Sequence, residues 1–423
     1  MTFKIAAIMI LIVVWLYQTL LNRIRRKSAS NPIPDNVADV YDTETYGKWR
    51  RYHAEKCRLS MAQNTASFLA DLLLIGLNLY AAFAGIFPET LILQLFAVLL
   101  LSALSGVVSL PFSYYDDMVI EQKYGFNRTG KKTFAADAVK QFVIGLVLTC
   151  LIALLLMWIH RALGDWLIVV FAGAMVLLAL GISFLYPYFS RIFNKFTPLE
   201  DGELKEKLTA LLTKHGYHVR AIQVMDASRR STKTNAYFTG FGKTKTIVLY
   251  DTLVQKMTTE EICAVFAHEM GHGLHRDTLK RQSLSFLQMA ILAVLAWITL
   301  RTPEFFTSFG FESVNYGFAI LLIMSVEFAL IAPLFGLVSN YFSRRAEYRA
   351  DAQAVREGYG AALISGLKKL ARENFAELAP SPLLVRLEDS HPTLSQRIDA
   401  IEHSPDYHPG PAADEETEAQ IRP

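Results

Sequence analysis

Cysteine and charge are both scarce in this chain of 423 residues, and each scarcity excludes a class of protein. The three cysteines, Cys57, Cys150 and Cys263, lie far apart, so they form neither a disulfide framework nor a paired Cys-x-x-Cys metal site. Only 19% of the residues are charged, and the net charge is +3, which argues against a strongly basic nucleic-acid-binding surface. We therefore expect no nucleic acid among its partners.

Hydrophobic residues make up 52% of the chain, and many of them fall into runs of about the 20 residues that a bilayer core requires. We predict about seven transmembrane helices, at residues 5–21, 67–87, 91–110, 142–159, 166–185, 284–300 and 318–338. The first run has no small-x-small cleavage site before the basic residues that follow it, which favours an uncleaved span over a signal peptide. Membrane lipid is therefore an expected partner.

The distribution of lysine and arginine predicts the orientation. Nine of them lie between residues 23 and 58, and more lie between residues 123 and 140, whereas the alternate connections are short and poor in both. The positive-inside rule places the basic loops in the cytosol, together with the long polar insertion and the C-terminus. Asp71 and Glu327 fall inside predicted spans, so we expect them to face a wet interior or each other.

These patterns predict five parts. Residues 1–189 form a transmembrane region of about five spans, 190–283 a cytosolic catalytic part, 284–340 two further spans, 341–403 the second catalytic part, and 404–423 a disordered tail. Within the insertion we predict a helix over 202–215, strands over 221–225 and 246–250, and an edge strand over 235–239 before a tight turn at 240–242. The catalytic part is thus predicted to be a small sheet with helices.

One motif in the insertion carries chemistry: His268-Glu269-Met270-Gly271-His272. On a helix the two histidines lie about 5–6 Å apart on one face, close enough to share one Zn²⁺ ion, with Glu269 beside it to take a proton from the attacking water. Thr258 and Glu261 predict a capping box that starts this helix. A pair of histidines on an ordinary amphipathic face is the alternative.

A third ligand must come from elsewhere, because the extended form of the motif would need a histidine where Thr278 stands. Glu347 and Asp351, four residues apart after the last predicted span, share a helix face. Glu347 would complete a His₂Glu site, and Asp351 could orient a ligand histidine. The alternative is a solvated helix with Arg–Glu surface pairs.

Taken together, the chain resembles the type I CAAX prenyl proteases, which are integral-membrane zinc metalloendopeptidases. The resemblance rests on several separated segments in the same order: residues 111–115, 121, 125–127, 193–199, 234–237, 268–272, 343–351 and 391–393. It implies a mainly α, polytopic membrane protein in which about seven helices form a barrel around a chamber. A cytosolic, gluzincin-like α+β metalloprotease domain would hold one Zn²⁺ per chain on His268, His272 and Glu347.

The resemblance also implies roles for residues outside the metal motif. It places His391 beside the site, where we expect it to stabilise the oxyanion. A loop histidine that caps a helix is the alternative. Asn235, Ala236 and Tyr237 are assigned to substrate binding, since an extended peptide could add to their strand by main-chain hydrogen bonds. An asparagine that satisfies its own turn is the alternative for Asn235.

We therefore expect a zinc-dependent endopeptidase that acts on prenylated CAAX-type C-termini or similar hydrophobic peptides. The competing function is a membrane quality-control metalloprotease without prenyl specificity, and a receptor or transporter with an incidental motif is a more distant one. We expect a monomer in the bacterial inner membrane, which the short loops favour, or in the endoplasmic reticulum of a eukaryote.

Overall fold

The computed structural model describes residues 2–87, 90–163, 190–239, 244–315 and 326–409, with the single residues 173, 177, 181 and 321. Four predicted features lie wholly or partly outside the described residues: most of the span at 166–185, the whole turn at 240–242, the start of the span at 318–338 and the end of the tail. The chain divides into two compact units. The apolar unit contains residues 1–27, 51–185 and 282–338, and the polar unit contains residues 28–50, 186–281 and 339–423. The five predicted parts remain a prediction.

The first part of the chain is helical: α1 (Thr2–Ser28), α2 (Thr43–Gly76), α3 (Leu79–Ala84), α4 (Leu91–Tyr115) and α5 (Lys131–Leu163). Four helical stretches in the described part of the chain are long and apolar enough to cross a membrane: Thr2–Ser28, Ile92–Glu121, Lys131–Leu151 and Asp277–Leu300. Their large apolar side chains are widely exposed, as lipid-facing residues are. The prediction of a mainly helical, polytopic membrane protein is confirmed.

Two helices of the apolar unit differ from the sequence prediction. The predicted span 67–87 is interrupted, because α2 ends at Gly76 and Asn78 takes a left-handed conformation with φ 56°. The Asn78 side chain accepts a hydrogen bond from Lys4 Nζ at 2.8 Å, a tertiary contact that no local pattern reveals. Helix α4 in turn contains Pro111 and continues into a π-helical turn, Asp116–Glu121.

Glu327, one of the two acidic residues inside predicted spans, has a polar partner. It accepts a hydrogen bond from Thr299 Oγ1 at 2.9 Å.

The polar unit contains a four-stranded sheet. Its strands are β1 (Phe196–Pro198), β2 (His218–Met225), β3 (Ala236–Thr239) and β4 (Thr244–Tyr250), in the order β1-β2-β4-β3. β2 and β4 are parallel, and β1 and β3 pair antiparallel on the outside. Of these strands, β1 had no counterpart in the sequence prediction, and β3 is an edge strand as predicted.

Helices complete the structure. They are α6 (Glu203–Lys214), α7 (Asp251–Lys256), α8 (Thr259–Leu274), α9 (Asp277–Leu300), α10 (Pro303–Ser308), α11 (Phe328–Arg356), α12 (Gly360–Glu373), α13 (Pro382–Leu387) and α14 (Leu394–Glu402). The core of the polar unit joins α6, α8 and α12 to the inner strands through fully buried residues such as Leu208, Leu249 and Phe266. This core makes α8 the central helix, buried on nearly every side.

Candidate metal centre

Helix α8 begins at the predicted capping box. Thr258 Oγ1 accepts a hydrogen bond from Glu261 N at 3.3 Å, and the Glu261 carboxylate accepts one from Thr258 N at 2.9 Å. The same carboxylate accepts from Ser365 Oγ at 2.6 Å and is paired with Lys369 Nζ at 2.7 Å, both on α12. These bonds fix the start of α8 and dock α12 on it, so the helix that carries the motif is held at its N-terminus.

Two histidines of α8 face one carboxylate of α11. The rings of His268 and His272 are 4.8 Å apart between centroids. Their Nε2 atoms lie 3.5 and 3.3 Å from the two carboxylate oxygens of Glu347. All three ligand atoms fall within 4.8 Å of one another, an arrangement that could hold a metal ion. Glu347 is only 4% exposed, which excludes the solvated-helix alternative.

The second nitrogen of each imidazole has a carboxylate partner. His268 Nδ1 lies 2.8 Å from Asp351 Oδ1, and His272 Nδ1 lies 3.2 Å from Asp277 Oδ2. A carboxylate only accepts hydrogen bonds, so each Nδ1 is assigned as the protonated nitrogen, and each Nε2 of the neutral ring carries a lone pair. Both lone pairs then point toward Glu347.

Two arginines hold these carboxylates. Arg397 of α14 donates to Asp351 from Nε at 2.9 Å and from Nη2 at 2.7 Å, and its Nη1 lies 3.3 Å from Glu347 Oε2. Arg349 Nη2 donates to Asp277 Oδ1 at 2.8 Å. The sequence analysis missed Arg397, Arg349 and Asp277. An acid soon after the motif was the available signal for Asp277, whereas no local pattern marks either arginine.

The electrostatics of the site favour ionised carboxylates and a positive charge among them. Burial alone would raise the pKa of Glu347, but the hydrogen bond with His272 and the charge of Arg397 lower it to about 2. Burial also opposes ionisation of Asp351, yet the Arg397 charge and the His268 hydrogen bond bring its pKa to about 2. Burial lowers the pKa of His272, and its hydrogen bond and charge interaction with Glu347 more than offset this, so the pKa is raised.

A divalent cation fits this arrangement. Glu347 Oε2 is buried and has no hydrogen-bond partner among the described residues. Its near neighbours are His268 Nε2 at 3.5 Å and Arg397 Nη1 at 3.3 Å. A proton on Nε2 can lie between an imidazole and the carboxylate, and a cation bound by the lone pairs of the neutral rings can take the same place. Two imidazoles and one carboxylate are also a donor set that proteins use for transition metals.

The other predicted site residues lie at the rim or on the neighbouring edge strand. Glu269 is half-buried on α8, directly after His268. His391 Nε2 lies 3.4 Å from Glu347 Oε1, the His391 side chain is 62% exposed, and Ser390 Oγ lies 2.9 Å from its Nδ1. Thr393, and not His391, caps the following helix.

Asn235, Ala236 and Tyr237 lie at the start of the edge strand β3. Ala236 is buried in the same core as Ala267 of α8, so the strand packs against the motif helix. Asn235 is exposed, and its Oδ1 accepts a hydrogen bond from Ala236 N at 2.9 Å. This local bond is the one expected if the Asn235 side chain satisfies its own turn. Its side-chain NH₂ is then the group that remains to donate to a ligand.

Comparison with known families and structures follows the division of the chain. Residues 22–195 match the N-terminal region of CAAX prenyl proteases, described as five membrane helices, and residues 198–404 match peptidase family M48. An Arabidopsis thaliana CAAX prenyl protease 1 homolog is 32% identical over 93% of this chain and 96% of its own length. The CAAX prenyl protease 1 of Saccharomyces cerevisiae is 32% identical over 89% and 90%.

A solved structure agrees with these matches. The crystal structure of S. mikatae Ste24p superposes with a TM-score of 0.89 at 27% identity, covering 95% of this chain and 99% of that one. Both halves of the chain, the membrane region and the metallopeptidase region, are thus accounted for by one kind of protein, and the residues that could hold a metal ion lie in the second half. The chain belongs to peptidase family M48, and within it to the integral-membrane CAAX prenyl protease family of metalloendopeptidases.

Proposed function

We propose that this protein is a zinc endopeptidase that cleaves prenylated CAAX-type C-termini or similar hydrophobic peptides. The observation that carries the proposal is the convergence of the Nε2 atoms of His268 and His272 on the two oxygens of the Glu347 carboxylate. His268, His272 and Glu347 would hold one Zn²⁺, since this is the ligand set of catalytic zinc sites that keep a fourth position open. The relatives that cover nearly the whole chain are named CAAX prenyl proteases, which supports the substrate class.

When bound, Zn²⁺ supplies a Lewis acid that polarises the scissile carbonyl and makes a water acidic near neutral pH. Glu269 takes a proton from the attacking water, and the water oxygen bonds to the carbon of the scissile carbonyl. The C–N bond then breaks as the Glu269 carboxyl gives that proton to the nitrogen of the leaving amine. His391 can donate a hydrogen bond from Nε2 to the carbonyl oxygen as negative charge develops there. A hydrogen bond from Ser390 Oγ to Nδ1 would hold the tautomer that this role requires.

The substrate would bind as an extra strand on the open edge of β3. Tyr250 N donates to Asn235 O at 3.1 Å, so residues 235, 237 and 239 direct their main-chain groups to β4. Residues 236 and 238 therefore direct theirs away from the sheet. There an extended peptide can pair with Phe238 and with the carbonyl of Ala236, whose N–H already donates to Asn235 Oδ1. Asn235 could support the oxyanion from its free amide group, and Ala236 and Tyr237 would contribute main-chain and side-chain contacts.

The same proposal includes a location and an assembly. We propose that the metal site faces the cytosol, because the basic loops before α2 and before α5 belong to the side that the positive-inside rule assigns to it. We further propose a monomer in the bacterial inner membrane, with the endoplasmic reticulum as the location if the source is eukaryotic.

The test uses the full chain purified in detergent. Metal content is measured by mass spectrometry, and cleavage is followed on a farnesylated CAAX peptide and on an unprenylated copy, for wild type, Glu269→Gln and Glu260→Gln. The last is a matched control, since Glu260 is exposed at the start of the same helix. We expect one zinc per chain in all three proteins, loss of cleavage only in Glu269→Gln, and preference for the farnesylated peptide. Equal cleavage of both peptides would favour the quality-control function, and a wild type without zinc would contradict the proposal.

A further inference from the structure

The turn that follows α12 has a backbone conformation that side chains disfavour. Phe375 has φ 50°, one of three non-glycine residues in the described part of the chain with a positive φ. In this region the Cβ of an L-residue crowds the neighbouring carbonyl, so a phenylalanine remains there only when its surroundings hold the backbone in place.

Tyr41, just before α2, and Trp49, within α2, supply that restraint. Tyr41 Oη lies 2.9 Å from the carbonyl oxygens of both Ala371 and Ala376, on either side of the turn. Trp49 Nε1 donates to Phe375 O at 3.1 Å. The ring of Tyr41 also meets the ring of Phe375 edge-on, with centroids 5.9 Å apart. Several main-chain carbonyls of one short turn are thus held by two aromatic side chains.

The restrained turn presents Asn374 to the beginning of the edge strand. Asn374 Oδ1 accepts a hydrogen bond from Thr234 N at 3.1 Å, and Asn374 Nδ2 donates to Thr234 O at 3.3 Å. One side-chain amide therefore pairs with both main-chain groups of a single residue, as a neighbouring strand would. Thr234 is 5% exposed, and Asn235 follows it directly.

This pairing lies on the open side of β3. Because Asn235 pairs with Tyr250, alternation along the strand directs the main-chain groups of Thr234 to the same side as those of Ala236. Asn374 thus takes the position that an added strand would need to pair with residue 234. A peptide on this edge must therefore begin its pairing beyond residue 234, at the carbonyl of Ala236. A one-residue slip of such a strand turns all its side chains to the opposite face.

We propose that Asn374 is a positioning residue for the peptide substrate, fixing the start of the open edge of β3 and thereby the register in which the substrate pairs. The inference rests on the proposed function, in which the substrate adds to β3. Asn374 touches the strand and not the metal ligands, so it acts on where the peptide lies and not on the chemistry of cleavage.

The experiment compares Asn374→Ala with wild type in the full chain, using the farnesylated CAAX peptide. KM and kcat are measured, and the cleaved bond is identified by mass spectrometry of the products. With two hydrogen bonds to the strand lost, we expect KM to rise about tenfold while kcat changes little. We also expect a second cleavage position next to the original one, which a general loss of stability would not produce.

Two further variants separate positioning from folding. Asn374→Asp keeps the size of the side chain and the acceptor for Thr234 N, so it should retain metal and still raise KM. Asn31→Ala is the matched control, because Asn31 also donates its side-chain amide to a main-chain carbonyl, Ala379 O at 2.9 Å, but away from β3. It should leave KM and the cleaved bond unchanged.

The outcomes distinguish this inference from the proposed function. If wild type cleaves the peptide and both Asn374 variants, with full metal content, cleave the same single bond at the wild-type KM, the role of Asn374 is overturned and the proposed function stands. If wild type binds zinc but cleaves no CAAX peptide, the proposed function fails and this inference fails with it.

Discussion

Gly271 of α8 lies against Ala350 of α11 with no room for a side chain between them. A β-carbon on Gly271 would lie 2.8 Å from Cα of Ala350 and 3.1 Å from Cβ of Gln353. Such a contact involves backbone and cannot be relieved by turning a side chain. The absent side chain at Gly271 therefore lets the helix with His268 and His272 approach the helix with Glu347 closely enough for the three ligand atoms to meet.

Replacement of Gly271 by alanine should separate these helices. We expect Gly271→Ala to lower the free energy of unfolding of the polar unit by about 1–3 kcal/mol through overpacking, and to lower the bound metal per chain. Metal content after dialysis and thermal unfolding followed by fluorescence measure the two effects. Gly366→Ala is the control, since a β-carbon there meets Glu261 at an ordinary 3.7 Å. Equal metal retention in both variants would show that the contact does not set the ligand geometry.

Removal of the charge on Asp277 should lower the metal affinity, although Asp277 is not itself one of the proposed metal ligands. Asp277 is 5% exposed and orients His272 through Nδ1. Groups of this kind typically contribute about 10–100-fold to metal affinity, and we expect a loss of that size in Asp277→Asn. Competition with a chromophoric chelator measures it. Lys280→Met removes only a weaker partner of Asp277, 3.6 Å away, and should retain wild-type affinity. An unchanged metal affinity in Asp277→Asn would show that Asp277 does not support metal binding through His272.

Loss of the His391 imidazole should affect turnover and not metal binding. Removal of one oxyanion donor usually lowers kcat by about 100-fold or more, so His391→Ala should lose activity on that scale with full metal content. His403→Ala replaces an exposed histidine at the far end of α14 and serves as control. Loss of metal together with activity in His391→Ala would instead identify His391 as part of the metal-binding set.

Glu357 should make the stability of the polar unit depend on pH. Its side chain is 5% exposed, and it pairs with Lys214 and His215 of the α6 end, each at 2.7 Å. Burial raises its pKa, but the hydrogen bonds from Lys214 and His215 outweigh this and leave the pKa below its usual value. A lowered folded-state pKa stabilises the fold above the unfolded-state pKa of about 4.3. This stability is lost as the pH falls through the folded-state value.

We therefore expect Glu357→Gln to destabilise the protein at pH 7 by about 1–2 kcal/mol and to unfold more like wild type as the pH falls below about 4.3. Thermal unfolding of both proteins across this range is the measurement. Glu203→Gln is the control, because Glu203 has an exposed carboxylate on α6, the helix that carries Lys214. It should show neither effect. A difference between Glu357→Gln and wild type that stays constant with pH would exclude the ionised carboxylate as its cause.

Short-range sequence patterns correctly predicted the features that depend on residues close together in the chain. The apolar runs indicated membrane helices, the capping box fixed the start of α8, and the i,i+4 spacing brought His268 and His272 to one face. The edge position of β3 was predicted from its punctuation and pattern, and β3 is an edge strand. Each of these features depends on residues within a few positions of one another, where periodicity and hydrogen-bonding rules act directly.

Contacts between distant parts of the chain were beyond such patterns. The break at Asn78 and the arginines that pair with Asp277 and Asp351 depend on partners far away in sequence. The same holds for Asn374, which pairs with Thr234 from 140 residues away. The sequence by itself determined the class of protein and the three residues that could hold a metal ion. Only the tertiary structure decided which charged groups support them, because pairing in space depends on how the helices pack and not on their spacing along the chain.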